Sequence, residues 1–185
     1  MSRSDAERNR RTLLEAAADA LARSPGASMA QVAQAAGLAR ATLYRHFSSR
    51  QELLAAMRAE ALVRAADAIA GSRLDEGTAL EGLRRAVEAL ASLGVRFRAL
   101  LLEGADLDAT FLQQRAEVLA PLKAVVRRGQ EAGLIRSDLP PEWVVTAMAS
   151  MLVAGVRASA GRGFDDSRVA DLVFGTLTSG ITARP

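Results

Sequence analysis

Cysteine is absent from this chain of 185 residues. That removes disulfides, thiolate metal sites and cysteine nucleophiles, and it fits an intracellular protein. Histidine occurs once, too few for a zinc site that needs three or four N, O or S ligands. Aromatics make up 4% of the residues while alanine is abundant, a composition that favours helices over β-structure. Long apolar runs are also missing. The longest, VVTAMASMLVAGV, covers 13 residues, short of the roughly 18–20 that span a bilayer. The start, MSRSDAERNRRTLLEAAADA, is charged where a secretion signal needs an apolar stretch. With 50% apolar and 24% charged residues the chain can bury a sizeable core. The expectation is a soluble cytoplasmic protein with no membrane partner and no cofactor.

Charge is unevenly placed. Residues 1–60 hold nine arginines against six acids, whereas the other 125 residues hold 15 bases and 15 acids. The whole net charge of +3 therefore lies in the first third, which points to a polyanionic partner for that part.

Apolar periodicity predicts helices throughout, with no strand alternation and no repeat. Ser4 and Glu7 have capping-box spacing ahead of a first helix over about 5–23. Ser28 caps a second over 29–35, and Gly37 supplies the positive φ of a tight turn. A third follows at about 39–47 and a fourth at about 50–70. After the break GSRLDEG (71–77) come helices at about 78–93, 95–105, 109–132, 141–161 and 166–181. Gly133 suits a helix C-terminus, Pro141 a helix start, and Pro121 predicts a kink or break near Leu119. The fold class is all-α, about nine helices. Its expected division is an N-terminal three-helix unit over 1–50, a connecting fourth helix, and a C-terminal bundle over 51–185.

The sole histidine and sole tyrosine sit two residues apart in LARATLYRHFSSR (38–50). At 100° per residue, Leu43 and Phe47 form an inward seam, Ala41 and Arg45 point away from it, Arg40 and Tyr44 line one flank, and Thr42 and His46 line the other. Tyr44 and His46 are thus about 200° apart, with no acid beside them. They are not a reactive pair, and no catalytic or metal role is assigned. Two short helices joined by a glycine turn, the second presenting donors outward, describe a helix-turn-helix. Arg40 and Arg45 reach base edges, while Thr42, Tyr44 and His46 donate to phosphates. Ser28 and Arg50 stand at helix starts, where backbone N–H groups attract phosphate.

The segment SMAQVAQAAGLARATLYRHFSSRQELL (28–54) closely resembles the DNA-binding helix-turn-helix of TetR-family transcriptional regulators. The likeness rests on the AAGL turn, the TLYRHF core and the SRQELL that follows. It implies that Arg40, Ala41 and Tyr44 face bases and that Thr42, Tyr44, His46 and Arg50 meet phosphate. It also implies a homodimer on a double-stranded, palindromic operator, with a C-terminal helical domain that dimerises and holds an unidentified small-molecule inducer. Two departures stand out. Ala39 replaces the Ser or Thr common in the family, so the recognition helix lacks its side-chain cap, and the loop LARSPGAS is short. Arg50, where lysine is common, keeps the charge.

Beyond the motif, Phe97, Leu101, Phe111, Trp143, Met148 and Met151 are candidates for lining a ligand pocket, the methionines being adaptable. The last two helices mix apolar and small residues. Val145, Leu152, Gly155, Val156, Val169, Leu172, Val173, Thr176 and Leu177 are the candidate C2 dimer face. Arg8, Arg10 and Arg11 suit either a DNA-touching arm or a solvated face, and Arg84, Arg85, Arg127 and Arg128 read as surface charge. The reading is a ligand-responsive repressor. Two alternatives share its features: a helical enzyme or small-molecule-binding protein keeping the motif as scaffold, and a non-specific DNA binder, which should carry a larger charge excess.

Overall fold

The computed structural model describes residues 3–24, 26–97, 100, 109–159 and 165–182, with side chains from residue 10 onward. Eight α-helices occupy them: α1 (Arg3–Arg23), α2 (Met29–Ala35), α3 (Arg40–His46), α4 (Arg50–Gly71), α5 (Ala79–Arg96), α6 (Ala109–Glu131), α7 (Pro141–Ser159) and α8 (Asp166–Ile181). α1 starts at Arg3, so Ser4 lies inside the helix and not at its cap. The expected helix over 95–105 falls mostly outside the described residues. Its first two residues instead complete α5. Among the described residues the only β-type pairing is the isolated bridge between Ile135 and Thr182.

The chain forms two compact units, Met1–Val63 with Arg96–Ala105 and Arg64–Val95 with Asp106–Pro185. The division falls inside α4 rather than at its start. In the first unit, Leu14, Leu21, Val32, Leu43, Phe47, Leu53 and Met57 are fully buried, so all four helices contribute to one small core. In the second, α7 packs against both α6 and α8. Its core includes Leu83, Val87, Leu122, Val126, Ile135 and Met148.

Local chemistry fixes the ends. The glycine turn between α2 and α3 has Gly37 at φ +68°. Leu38 N–H donates to the Ala33 carbonyl at 2.8 Å and Gly37 N–H to Gln34 at 3.1 Å, the paired bonds of a Schellman termination. Gly133 (φ +69°) ends α6 the same way, with Leu134 N–H on the Gly129 carbonyl at 2.9 Å. Pro121 lies within α6, which is assigned as one continuous helix, so the expected break is absent. Pro121 is solvent-exposed, while Leu122, Val125, Val126 and Gly129 beyond it are buried, and their packing outweighs the one backbone hydrogen bond that proline cannot make.

Two arginines read as surface charge are structural instead. Arg85 donates from Nε to the Ser72 carbonyl (2.8 Å) and from Nη2 to those of Arg73 and Glu76 (2.6 Å each). Arg128 Nη2 donates to the Leu74 carbonyl. The loop between α4 and α5 is thereby held by its carbonyls, which a loop has no regular structure to satisfy. Arg84 and Arg127 do lie at the surface, paired with Glu88 and Asp171 and with Glu142 respectively.

Candidate nucleic-acid interface

The recognition helix α3 is only seven residues long, too short to be stable without packing. Leu43 and Phe47, both with no exposed surface, provide the packing. Their burial leaves Arg40, Ala41, Tyr44 and Arg45 exposed and Thr42 and His46 half-buried, the arrangement the helical wheel requires. Tyr44 is 44% exposed. Every side chain assigned to base or phosphate on α3 therefore lies on its solvent side or flanks.

The helix is held unequally at its ends. At its start Ala39 makes no side-chain cap. At its end the Arg10 guanidinium lies 5.5 Å from the centroid of the Phe47 ring, a cation–π contact, and the His46 and Phe47 rings are 6.2 Å apart.

The flanking helix starts are organised. Ser28 caps α2 in a reciprocal box: its N–H donates to Gln31 Oε1 at 2.8 Å, and its Oγ accepts from Gln31 N–H at 3.3 Å. The Ser-x-x-Gln spacing carried that signal in the sequence. Arg50 is half-buried, and its Nη1 donates to the Ala27 carbonyl, tying the start of α4 to the loop ahead of α2. Arg11 pairs with Glu60 at 3.3 Å. Arg10 and Arg11 are both engaged on their own unit, and the Arg8 side chain lies outside the described residues.

The same arrangement recurs in known proteins. Residues 13–57, which run from within α1 through α2 and α3 into α4, match the family described as "Bacterial regulatory proteins, tetR family". The chain is 30% identical over 184 residues to the HTH-type transcriptional repressor LfrR of Mycolicibacterium smegmatis, covering 97% of this chain and 93% of that one. This chain belongs to the TetR family of transcriptional regulators. Among solved TetR-family structures, LfrR in complex with proflavine superposes with a TM-score of 0.78 at 29% identity, over 96% of this chain and 98% of that one. PfmR from Thermus thermophilus superposes at 0.70 with 27% identity, over 94% and 95%.

Other sites expected of a TetR-family chain fare differently. Of the candidate pocket residues, Met148 is buried, Phe111 and Met151 are half-buried, and Phe97 is buried but belongs to the first unit. Leu101 lies outside the described residues. Trp143 is 62% exposed at the start of α7 and lines no interior. Of the candidate dimer face, Val145, Leu152, Val156, Val169, Val173 and Leu177 are buried within this chain. Their side chains pack into this chain's own core. Gly155 explains how α7 comes so close to α8: a methyl group there would stand 2.9 Å from Val169 Cγ1. Leu172 and Thr176 remain exposed. Periodicity marks these residues as facing another helix and cannot say whose. Among the described residues no cluster of His, Asp or Glu could hold a metal, and no helix is long and apolar enough to cross a membrane.

Proposed function

We propose that this regulator is a ligand-responsive repressor that binds a near-palindromic operator as a homodimer in the cytoplasm. The observation that carries the reading is the solvent face of α3, where Arg40, Tyr44 and Arg45 stand exposed on a helix seated by Leu43 and Phe47. In a major groove, Arg40 and Arg45 would meet base edges, with guanine O6 and N7 the best match to a guanidinium. Ala41 would let the backbone approach, and Tyr44 would serve a base or a phosphate. Thr42 and His46 would meet phosphate on the other flank, with Ser28 and Arg50 at the neighbouring helix starts. Two copies would place their α3 helices in successive grooves about 34–36 Å apart.

The α7–α8 pair, with Thr146, Ser150 and Ala154 on α7 and Leu172, Gly175 and Thr176 on α8 left largely exposed, is the face we assign to the partner copy. Small residues there allow close four-helix packing. The first unit is the DNA-binding part and the second the ligand-binding and dimerising part. LfrR holds proflavine, so a flat aromatic cation is the first inducer class to try. An inducer that favours a head spacing unfit for DNA must itself bind less tightly when DNA is present. Titrating the protein against duplexes from upstream of its own coding region, at physiological salt, tests the reading. Sequence-preferring binding weakened by the inducer supports it, and equal binding to scrambled duplex contradicts it.

A further inference from the structure

We propose that Glu52 is a positioning residue for DNA recognition, holding the exit of the recognition helix so that its solvent face is fixed before DNA arrives. The inference rests on the reading that α3 enters the major groove.

Glu52 is the single acid between Asp19 and Glu60, and it stands one short turn beyond the helix that would meet the polyanion. On charge alone a carboxylate there opposes binding. Its contacts account for its presence. Glu52 Oε2 accepts from the Ser48 N–H at 2.7 Å and from the Ser48 hydroxyl at 2.6 Å, and Glu52 N–H donates to Ser49 Oγ at 3.1 Å. Ser48 directly follows the α3 cap residue Phe47, whose backbone is extended (φ −140°, ψ 108°). The chain leaves the helix abruptly there, and Glu52 reaches back from α4 to accept from the Ser48 N–H. On the other side of the same residue, Arg10 covers the Phe47 ring and its charge favours the Glu52 carboxylate. The exit of α3 is thus fixed by a buried ring, a cation over that ring and a carboxylate on the following turn. The start of α3 has no side-chain cap, so the side-chain contacts at its exit add to the seat that Leu43 and Phe47 provide.

Removing Glu52 separates this role from plain electrostatics, because the two predict opposite signs. A charge effect tightens binding to every duplex when the acid is lost. A positioning effect weakens binding to the preferred duplex alone, since ordering the turn becomes a cost of binding. We expect Glu52→Ala to bind the preferred duplex about fivefold more weakly, the size of one lost helix cap, while scrambled duplex is bound as tightly as before or tighter. Glu52→Gln keeps the volume and one acceptor oxygen, so it should lie between, and it carries the test if Glu52→Ala does not fold by thermal unfolding. Affinities for preferred and scrambled duplex that stay equal to wild type, or rise together, overturn the proposal. A wild-type protein with no preference between the duplexes overturns the functional reading itself.

Discussion

His46 and Arg40 lie within two turns of each other, yet their substitutions should be distinguishable. His46 is half-buried on a flank of α3, and His46→Ala should weaken binding to all duplexes and lower the salt slope of binding by about one. Arg40 is exposed at the helix start, and Arg40→Ala should change base preference at one operator position at a cost of about 1–3 kcal/mol. Affinities measured across salt concentrations and across single-base operator variants check both. Ala39→Ser should restore the missing cap and stabilise the first unit by about 1 kcal/mol in urea unfolding, and an unchanged midpoint would show that α3 is held from its far end alone. These positions were legible because a seven-residue helix anchored by an i, i+4 pair has one possible inward seam. The contacts of Arg10 and Glu52 were not, since they depend on where α1 and α4 lie against the Phe47–Ser48 exit.

Helix ends read well from sequence for the same local reason. Ser28, Gly37, Gly133 and Pro141 act on their immediate neighbours in sequence, and each marks a helix boundary. Interior positions read less well: Pro121 predicts a kink or a break, and α6 runs through it unbroken, while Arg85 and Arg128 look like surface charge until the loop they hold is seen. Arg85→Ala removes three hydrogen bonds to loop carbonyls and should cost about 1.5–3 kcal/mol in urea unfolding. Exposed carboxylates held below their ordinary values contribute to the response to acid. Hydrogen bonds from the Ser48 hydroxyl and N–H hold Glu52 below its ordinary value of 4.5, and those from the Thr78 N–H and hydroxyl do the same for Glu81. The Arg136 guanidinium lowers Asp138, and the Arg168 N–H followed by the Ser167 hydroxyl lowers Asp165. Because each folded value lies below the unfolded one, this stability is fully present above the ordinary carboxylate range and lost as pH falls through the depressed values. Thermal midpoints should be flat from about pH 7 to pH 5 and fall below about pH 4.5. A fall beginning near pH 6 would contradict this assignment.

At the scale of the whole molecule, the all-helical class was legible in the sequence, but apolar spacing could not separate a helix's own core from a face for another chain. Apolar spacing on α7 and α8 is the same signal for both, and most of it serves this chain. The face proposed for a second copy carries Leu172, which is 41% exposed. Leu172→Arg should convert dimer to monomer in sedimentation while leaving the thermal midpoint of the first unit unchanged, and it should abolish operator binding at concentrations where wild type is saturated. The most direct test of the account is selection of bound sequences from random duplex DNA at physiological salt. The account predicts enrichment of a near-palindrome whose half-sites are centred about one helical turn apart, with guanines opposite the arginines of α3. A pool that stays random, although the protein is folded and dimeric, would contradict it.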